Sequence, residues 1–541
     1  MALFKNSFSL YLIIFFHGVI GISSIDPLVE TKVGLIRGQK ATDGAYSMFL
    51  GIPYATVDSA NPFGTSSPYP KFSGVFEAYN DSAICPQIEE FENSIVGDLD
   101  CLHLNIYVPN SASSTNRLPV LVWIYGGIFK IGFSGRYLYG PKYLVRHDII
   151  LVTVNYRVGP YGFMCLDTPE VPGNQGLKDQ LAALRWINDN IEAFAGDTNK
   201  ITIFGESAGG ASVDLLLLYA QEKLFNKVIM QSGTSLCPWV ITEPDKEAPL
   251  KLANYLGYPT NITDEALQFL ATIDTTLVIA ATDELELSFK PCVEKKIDGN
   301  EILITEHPNN VEPRNFNNIT LIIGFNNDEL HASYDDTNDN SKIFYTYLTE
   351  TFNFENEQLI QMEKYVRHFY IGDEEINVNV KSKITDYMSD LYFIYPSFRS
   401  LQKYLNNGAV IFHYMFSYNG GRNFVKDKDN ITTGNALHAD EIGYLFDISY
   451  MDDNPTAEDQ LVIDRMTTLW ANFVKFNDPT PETTDLLPVK WPASTKDILF
   501  YLNIDRDIDI KKRPFHERMT FLDLFFDLNR QYLKGYSTND A

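Results

Sequence analysis

Basic residues are scarce in this 541-residue chain: 43 Lys and Arg stand against 70 Asp and Glu, a formal net charge of −27. No run of Lys or Arg interrupts that balance. Such a surface repels the phosphates of nucleic acid and an anionic membrane, so neither is expected as a partner. Cysteine is scarce as well, with an odd count: Cys85, Cys101, Cys165, Cys237 and Cys292. At least one must stay unpaired within the chain. There is no CxxC and no Cys/His cluster, so no metal site is expected. Internal repeats and low-complexity linkers are also missing. What remains is 45% apolar, 13% aromatic and 21% charged. That composition supplies a large core and excludes a disordered, collagenous or coiled-coil chain.

Long apolar runs are confined to the beginning. Lys5 is the lone charge of residues 1–24, Leu10 to Phe16 is apolar, and Gly21, Ile22, Ser23 and Ser24 offer small residues for cleavage. This is the pattern of a secretory signal peptide over 1–24, too short to span a bilayer. The remaining 25–541 are expected to form one domain. The final residues show neither a lipid-anchor tail nor an ER-retention tetrapeptide, so the expected destination is extracellular, without a membrane anchor. Four sequons, at Asn80, Asn261, Asn318 and Asn430, become candidate glycosylation sites in that compartment. Cys85 and Cys101 enclose 15 residues of polar, turn-rich sequence and are expected to bridge. Such a bridge stabilises by about 3 kcal/mol on the loop-entropy model. Cys165, Cys237 and Cys292 sit in apolar contexts and are expected to be buried thiols.

Apolar β-rich runs alternate with helical ones. Val120–Tyr125 and Ile149–Tyr156 are continuous apolar strands, of the kind buried on both faces. Leu177–Phe194 has helical spacing, Ile201–Phe204 is a short strand, Val213–Tyr219 is helical and Lys227–Gln231 is a strand. Later strands are expected at Thr320–Gly324, Val410–Phe416 and Ile498–Leu502, with a loop over Asp335–Lys342 and a terminal helix over 516–534. The alternation predicts an α/β fold with a mostly parallel sheet.

The sharpest motif is Gly205–Glu206–Ser207–Ala208–Gly209–Gly210, between a strand and a helix. G-x-S-x-G in that setting thrusts a serine out at the carboxyl end of the sheet. The helix start behind it supplies backbone N–H groups and the positive end of a dipole. Upstream, Val120–Tyr125 runs into Gly126–Gly127–Ile128–Phe129, a loop able to aim N–H groups at an oxyanion.

With these motifs the chain resembles the type-B carboxylesterases, the cholinesterase-like esterases of the α/β-hydrolase fold, and within them the secreted insect branch. Matching stretches run through nearly the whole chain after residue 24. They include Pro27–Gly38, Phe49–Tyr54, Asp100–Tyr107, Asn155–Phe163, Gly173–Phe194 and Trp470–Pro479. The resemblance implies a large, mostly parallel sheet with helices on both faces and a small N-terminal antiparallel sheet. It implies hydrolysis of small-molecule esters, small to medium apolar ones of odorant, pheromone, dietary or xenobiotic type, through an acyl-serine, without a cofactor. Gly324–Phe325–Asn326–Asn327–Asp328–Glu329 matches the family's acid motif and His438–Ala439–Asp440–Glu441 its base motif. The implied triad is therefore Ser207, Glu329 and His438, in the chain order this fold uses. Asp328 is the near competitor of Glu329, and His331 lies two residues on. The implied oxyanion donors are Gly127, Ile128 and Ala208. Trp239, Leu285 and Leu287 are the implied acyl pocket.

Departures from the family bear on function. Ile128 stands where a third glycine or alanine is usual. A β-branched residue resists φ > 0, so either the loop takes negative φ here or one donor is misplaced. Leu99 and Pro62 replace a usual Glu and Arg, so neither charge is left buried alone. The Cys85–Cys101 loop lacks the tryptophan that holds a quaternary amine in cholinesterases. Two rival readings remain: a non-catalytic binding or adhesion member, and a juvenile hormone esterase. Members of the first class typically lack part of the triad; the second usually has Gln at the position of Glu206.

Overall fold

The computed structural model describes residues 27–312, 319–331, 342–452 and 454–536. The candidate leader, Asn318 and nearly all of the expected loop Asp335–Lys342 lie outside them. Eleven strands form one sheet. In chain order they are β1 (Gln39–Lys40), β2 (Tyr46–Pro53), β3 (His103–Pro109), β4 (Leu118–Ile124), β5 (Ile150–Val154) and β6 (Gly196–Glu206), then β7 (Lys227–Gln231), β8 (Thr320–Asn326), β9 (Val410–Phe416), β10 (Phe500–Ile504) and β11 (Asp509–Lys512). Their spatial order is β11-β10-β9-β8-β7-β6-β4-β5-β3-β2-β1. From β5 through β10 neighbours run parallel; β1, β2, β3 and β11 pair antiparallel. A small separate sheet joins Leu28–Thr31 antiparallel to Gly34–Arg37, with Phe76–Glu77 added in parallel.

Every residue of β4, β5, β7 and β8 is buried. This explains their unbroken apolar sequences, since helices cover both faces of the sheet. Register then aligns the carboxyl ends: Ile124 faces Gly205, Glu206 faces Gln231, and Gln231 faces Gly324. Gly126, Glu206 and Ser207, at or just beyond those ends, line one crevice, where parallel α/β sheets place their ligands. Helices α1 (Gln175–Asn190), α2 (Ala208–Tyr219), α3 (Tyr395–Asn406), α4 (Ala457–Phe476) and α5 (His516–Leu528) are the longest pieces used below. α4 is tied to β7 by Trp470 Nε1, 3.0 Å from Gln231 Oε1, and by Lys227 Nζ, which donates to the Phe473 carbonyl at 3.1 Å.

Four expectations shift. The short strand at Ile201–Phe204 is the end of β6, which pairs back to Gly196. α2 starts at Ala208 rather than Val213; two early glycines hide it, because their intrinsic helix propensity is poor and packing on the sheet overrides it. The strand at Ile498–Leu502 runs two residues later, as Phe500–Ile504. The terminal helix stops at Leu528, with a 3₁₀ turn at Arg530–Tyr532.

The cysteines require a correction. Cys85 and Cys101 are bridged as expected, but Cys165 and Cys292 are bridged too, leaving only Cys237 free and buried. The two partners are 127 residues apart, and no local pattern announces the pairing. Asn174 makes it: its side chain exchanges two hydrogen bonds with the Cys292 backbone, both 2.9 Å. Nearby Lys178 and Glu294 form a buried ion pair at 2.5 Å. These polar contacts fold the segment after Leu287 back onto α1, and apolar neighbours of a cysteine report burial but not its partner.

The missing Leu99/Pro62 charges leave no gap. Arg157 and Asp179, both fully buried, pair at 2.7 Å, and Arg157 donates to the carbonyls of Pro62 and Gly64 at 3.0 and 2.7 Å. Asn80, Asn261 and Asn430 are exposed. Among the described residues no helix is long and apolar enough to cross a membrane, and no His/Cys/Asp/Glu group could hold a metal ion.

Candidate active site

Ser207 sits between the last residue of β6 and the first of α2, with φ 56° and ψ −125°. Such a conformation costs a non-glycine residue about 1–3 kcal/mol and persists only where neighbours fix it. Here the Ser207 N–H donates to the Gln231 carbonyl at 2.9 Å. A Cβ on Gly209 would come within 2.0 Å of the Ile124 carbonyl, so the helix can approach the sheet only as glycine. The serine is 8% exposed, at the floor of a cavity of ≈ 460 Å³.

His438 lines the same cavity. Its Nδ1 lies 2.7 Å from Oε2 of the fully buried Glu329, whose Oε1 accepts the Asn326 N–H at 2.7 Å. A further backbone bond, from His438 N–H to the Glu329 carbonyl at 3.0 Å, fixes the two loops together. Asp328 points elsewhere and accepts the Asn435 N–H at 3.3 Å. His331 faces Lys381 at 3.5 Å, and His413 is packed in the core with Nδ1 against the Ile323 carbonyl. The Ser207 hydroxyl and the imidazole share the cavity without a hydrogen bond between them, a common state of unliganded sites.

Nε2 of His438 lies 3.1 Å from Oε1 of Glu206, which is out of line for a hydrogen bond and has no other partner among the described residues. Behind it Glu441 accepts from Gln231 Nε2 at 3.0 Å and Asn326 Nδ2 at 2.7 Å. Three buried carboxyls and one imidazole thus share a small volume. Burial pushes Glu206 well above the usual carboxyl range and Glu441 up to about 7, with neighbouring carboxylates adding to both. For His438 burial acts against the charged form, but attraction to Glu206 and Glu329 outweighs it and raises the imidazole to about 9. Glu206, Glu441 and His438 therefore keep protons into the neutral range. An imidazole acting as base must lose its proton first, so kcat/KM should rise with pH through neutrality. Glu206→Gln removes one of the attracting carboxyls. The pH profile of kcat/KM should then move by about one pH unit toward acid; an unmoved profile would show that Glu206 does not couple to Nε2.

The loop after β4 turns tightly. Gly127 has φ 103°, and a Cβ there would lie 2.3 Å from the Ile131 carbonyl. Ile128 and Phe129 follow at φ 53° and 62°. The expected avoidance of positive φ at Ile128 is thus overturned. Gly127 O accepts from Lys130 and Ile131 at 2.9 and 3.1 Å, Phe129 O accepts from Gly159, and the buried Phe129 ring lies 5.1 Å from Phe163. Together these contacts impose the left-handed pair. Among the described residues, no carbonyl takes the N–H of Gly127 or Ile128. Ala208 is the first residue of α2, where N–H groups lack intrahelical partners.

Trp239 lines the cavity, but Leu285 and Leu287 do not. Leu285 caps the helix Thr275–Glu284, and Leu287 lines a neighbouring cavity of ≈ 330 Å³ that shares Ile128 as its wall. In their place stand Tyr392 and Phe393, on a π-helical turn at Asp390–Ile394. Phe393 lies 4.3 Å from the His438 ring and 5.6 Å from Trp239, whose Nε1 donates to the Tyr392 carbonyl at 3.1 Å. A wide turn inside a helix leaves no mark in apolar periodicity; only the aromatic run Tyr392–Phe393–Ile394–Tyr395 signals it.

The sheet order and the strained serine turn at its carboxyl end define an α/β-hydrolase. The chain belongs to the carboxylesterase family, whose family model matches residues 25–522, and it is a carboxylic ester hydrolase. It is 33% identical over 508 residues to esterase FE4 of Myzus persicae, covering 87% of this chain and 88% of that one. It is 30% identical over 531 residues to the juvenile hormone esterase of Heliothis virescens, covering 91% and 92%. The solved juvenile hormone esterase of Manduca sexta, with OTFP covalently attached, superposes with a TM-score of 0.81 at 26% identity, covering 93% of this chain and all of that one.

Proposed function

We propose that the protein is a secreted glycoprotein esterase that transfers the acyl group of small to medium esters through Ser207. The observation that carries this reading is the shared cavity: a strained serine and an imidazole anchored 2.7 Å from Glu329 face the same space. His438 takes the Ser207 proton through Nε2, and the serine oxygen attacks the carbonyl carbon. Glu329 holds the tautomer with Nδ1 protonated and stabilises the imidazolium. The unpaired N–H groups of Gly127, Ile128 and Ala208 receive the oxyanion. Nε2 then returns its proton to the leaving alcohol, and water repeats the sequence to release the acid. Trp239, Phe393 and Tyr392 hold the acyl group. The leader pattern of 1–24 and the exposed sequons Asn80, Asn261 and Asn430 support secretion and glycosylation.

A p-nitrophenyl ester series from acetate upward tests the reading and, with Ile128→Gly, the acyl wall. Ile128 adopts positive φ, as a glycine would, and its N–H has no carbonyl partner among the described residues, so glycine is expected to improve no donor. Relief of left-handed strain offsets the added freedom of the unfolded glycine chain, so Tm should hardly change. The lost side chain opens the wall toward the second cavity. Long or branched acyl esters should gain about 10-fold or more, as one methylene-sized clash is relieved, and acetate should stay near wild type. A uniform gain across the series would show instead that the Ile128 donor is misplaced in the native loop.

A further inference from the structure

A cavity built for wholly apolar esters has no use for ions on its wall, yet Glu90, Lys428 and Asp429 line this one. Lys428 Nζ stands 3.4 Å from Glu90 Oε2 and 3.2 Å from Asp429 Oδ1. The cavity ammonium is split between two carboxyls, with three donors to distribute. Glu90 and Lys428 keep only 26% and 20% of their side-chain exposure. Burial raises the proton affinity of Glu90, against the pull of Lys428.

This wall is held in place. The Cys85–Cys101 bridge closes the loop that carries Glu90. Within it the Glu89 carboxylate accepts the N–H groups of Phe91, Glu92 and Ser94 at 2.7, 2.8 and 3.1 Å. Gln87 clamps Gly132 in both directions, at 2.8 and 2.6 Å. Lys428 ends the short helix Phe424–Lys428, whose first N–H groups are taken by Asp440. Tyr139, half-buried, and Glu206 line the same cavity as Glu90 and Lys428. Glu206 in turn comes within 3.1 Å of His438 Nε2.

We propose that this wall is the alcohol subsite and that it selects esters whose alcohol carries free hydroxyl groups. The proposal rests on the reading of Ser207 and His438 above: Nε2 is the atom that hands a proton to the leaving alcohol, so the alcohol lies on its side. A free hydroxyl on the alcohol both donates to a carboxylate and accepts from an ammonium, which neither an alkyl chain nor a charged group does. A cationic alcohol meets Lys428, an anionic one meets two carboxyls, and an apolar one strips water from three ions without replacing its hydrogen bonds.

Glycerol monobutyrate and n-propyl butyrate test it, since acyl group and carbon count of the alcohol are identical. The wild-type protein should favour the glycerol ester by about 10-fold or more in kcat/KM, chiefly through KM. Lys428→Met should bring the ratio of the two esters to within about twofold of unity, and Glu90→Leu should lower it in the same way. Each ratio is read within one preparation, so partial loss of folded protein cancels. A wild-type ratio near one, a ratio unchanged in both variants, or a preference for butyrylcholine over the glycerol ester would overturn the proposal. No turnover of either butyrate, together with no acylation of Ser207, would overturn the esterase reading itself and this subsite with it.

Discussion

Ser207→Ala is expected to lower kcat for p-nitrophenyl esters by on the order of 10⁵–10⁶-fold while the thermal midpoint stays at the wild-type value or rises. The substitution removes one oxygen from a side chain whose backbone does the structural work. Ser207 N–H still donates to Gln231, Gly209 still packs under Ile124, and α2 still begins at Ala208. Nothing in the core loses a partner, because the hydroxyl makes no hydrogen bond to the imidazole in the resting site. Chemistry loses its nucleophile, and only the oxyanion donors and the cavity remain to accelerate attack by water. An organophosphate should add its mass to the Ser207 peptide of the wild type and to no peptide of the variant. An adduct on another serine, or a variant retaining more than about a thousandth of wild-type kcat, would remove Ser207 from the centre of the reaction.

How legible was all this in the sequence? The strands β7 and β9 end at the residues expected, because each is a short apolar run fixed by burial on both faces. The proposed triad of Ser207, Glu329 and His438 could be read from sequence because each member lies in a local pattern, and local patterns survive without knowledge of contacts. The parts that were hidden depend on contacts between distant segments. Cys165 finds Cys292 only because Asn174 and Lys178 fold the later segment back. The aromatic wall comes from a π turn whose residues lie more than 150 positions beyond Trp239. Ile128 defied its own propensity, because Gly127 and Phe129 fix the turn from both sides. Leu287 lines the neighbouring cavity that shares Ile128, and Leu285 lines neither, because distant contacts set the path of the segment after the helix Thr275–Glu284.

Glu329→Gln is expected to lower kcat by about 10⁴-fold, and Asp328→Asn by less than about 10-fold. The two carboxyls are neighbours in sequence, Glu329 fully buried and Asp328 half-buried, and both carry the same charge, so charge alone does not separate their roles. Orientation does. Glu329 places Oε2 2.7 Å from His438 Nδ1, while its Oε1 accepts the N–H of Asn326, at the end of β8, at 2.7 Å, so one oxygen holds the imidazole and the other anchors the carboxylate. Asp328 turns the other way, to the Asn435 N–H at 3.3 Å, and burial raises its proton affinity there. An amide at 329 can present its NH₂ to Nδ1, which then holds the imidazole with Nε2 protonated, the tautomer that cannot accept from serine. The rate loss should therefore reach every ester equally and leave KM nearly unchanged, because no substrate contact is altered. An amide at 328 still accepts the Asn435 N–H, and only loop stability is affected. Single-turnover measurement of acyl-serine formation separates the cases: the Glu329 variant should lose the burst, the Asp328 variant should keep it. Equal losses for the two variants would mean that the imidazole takes its orientation from the Asn435 loop, and that the 2.7 Å contact with Glu329 is structural.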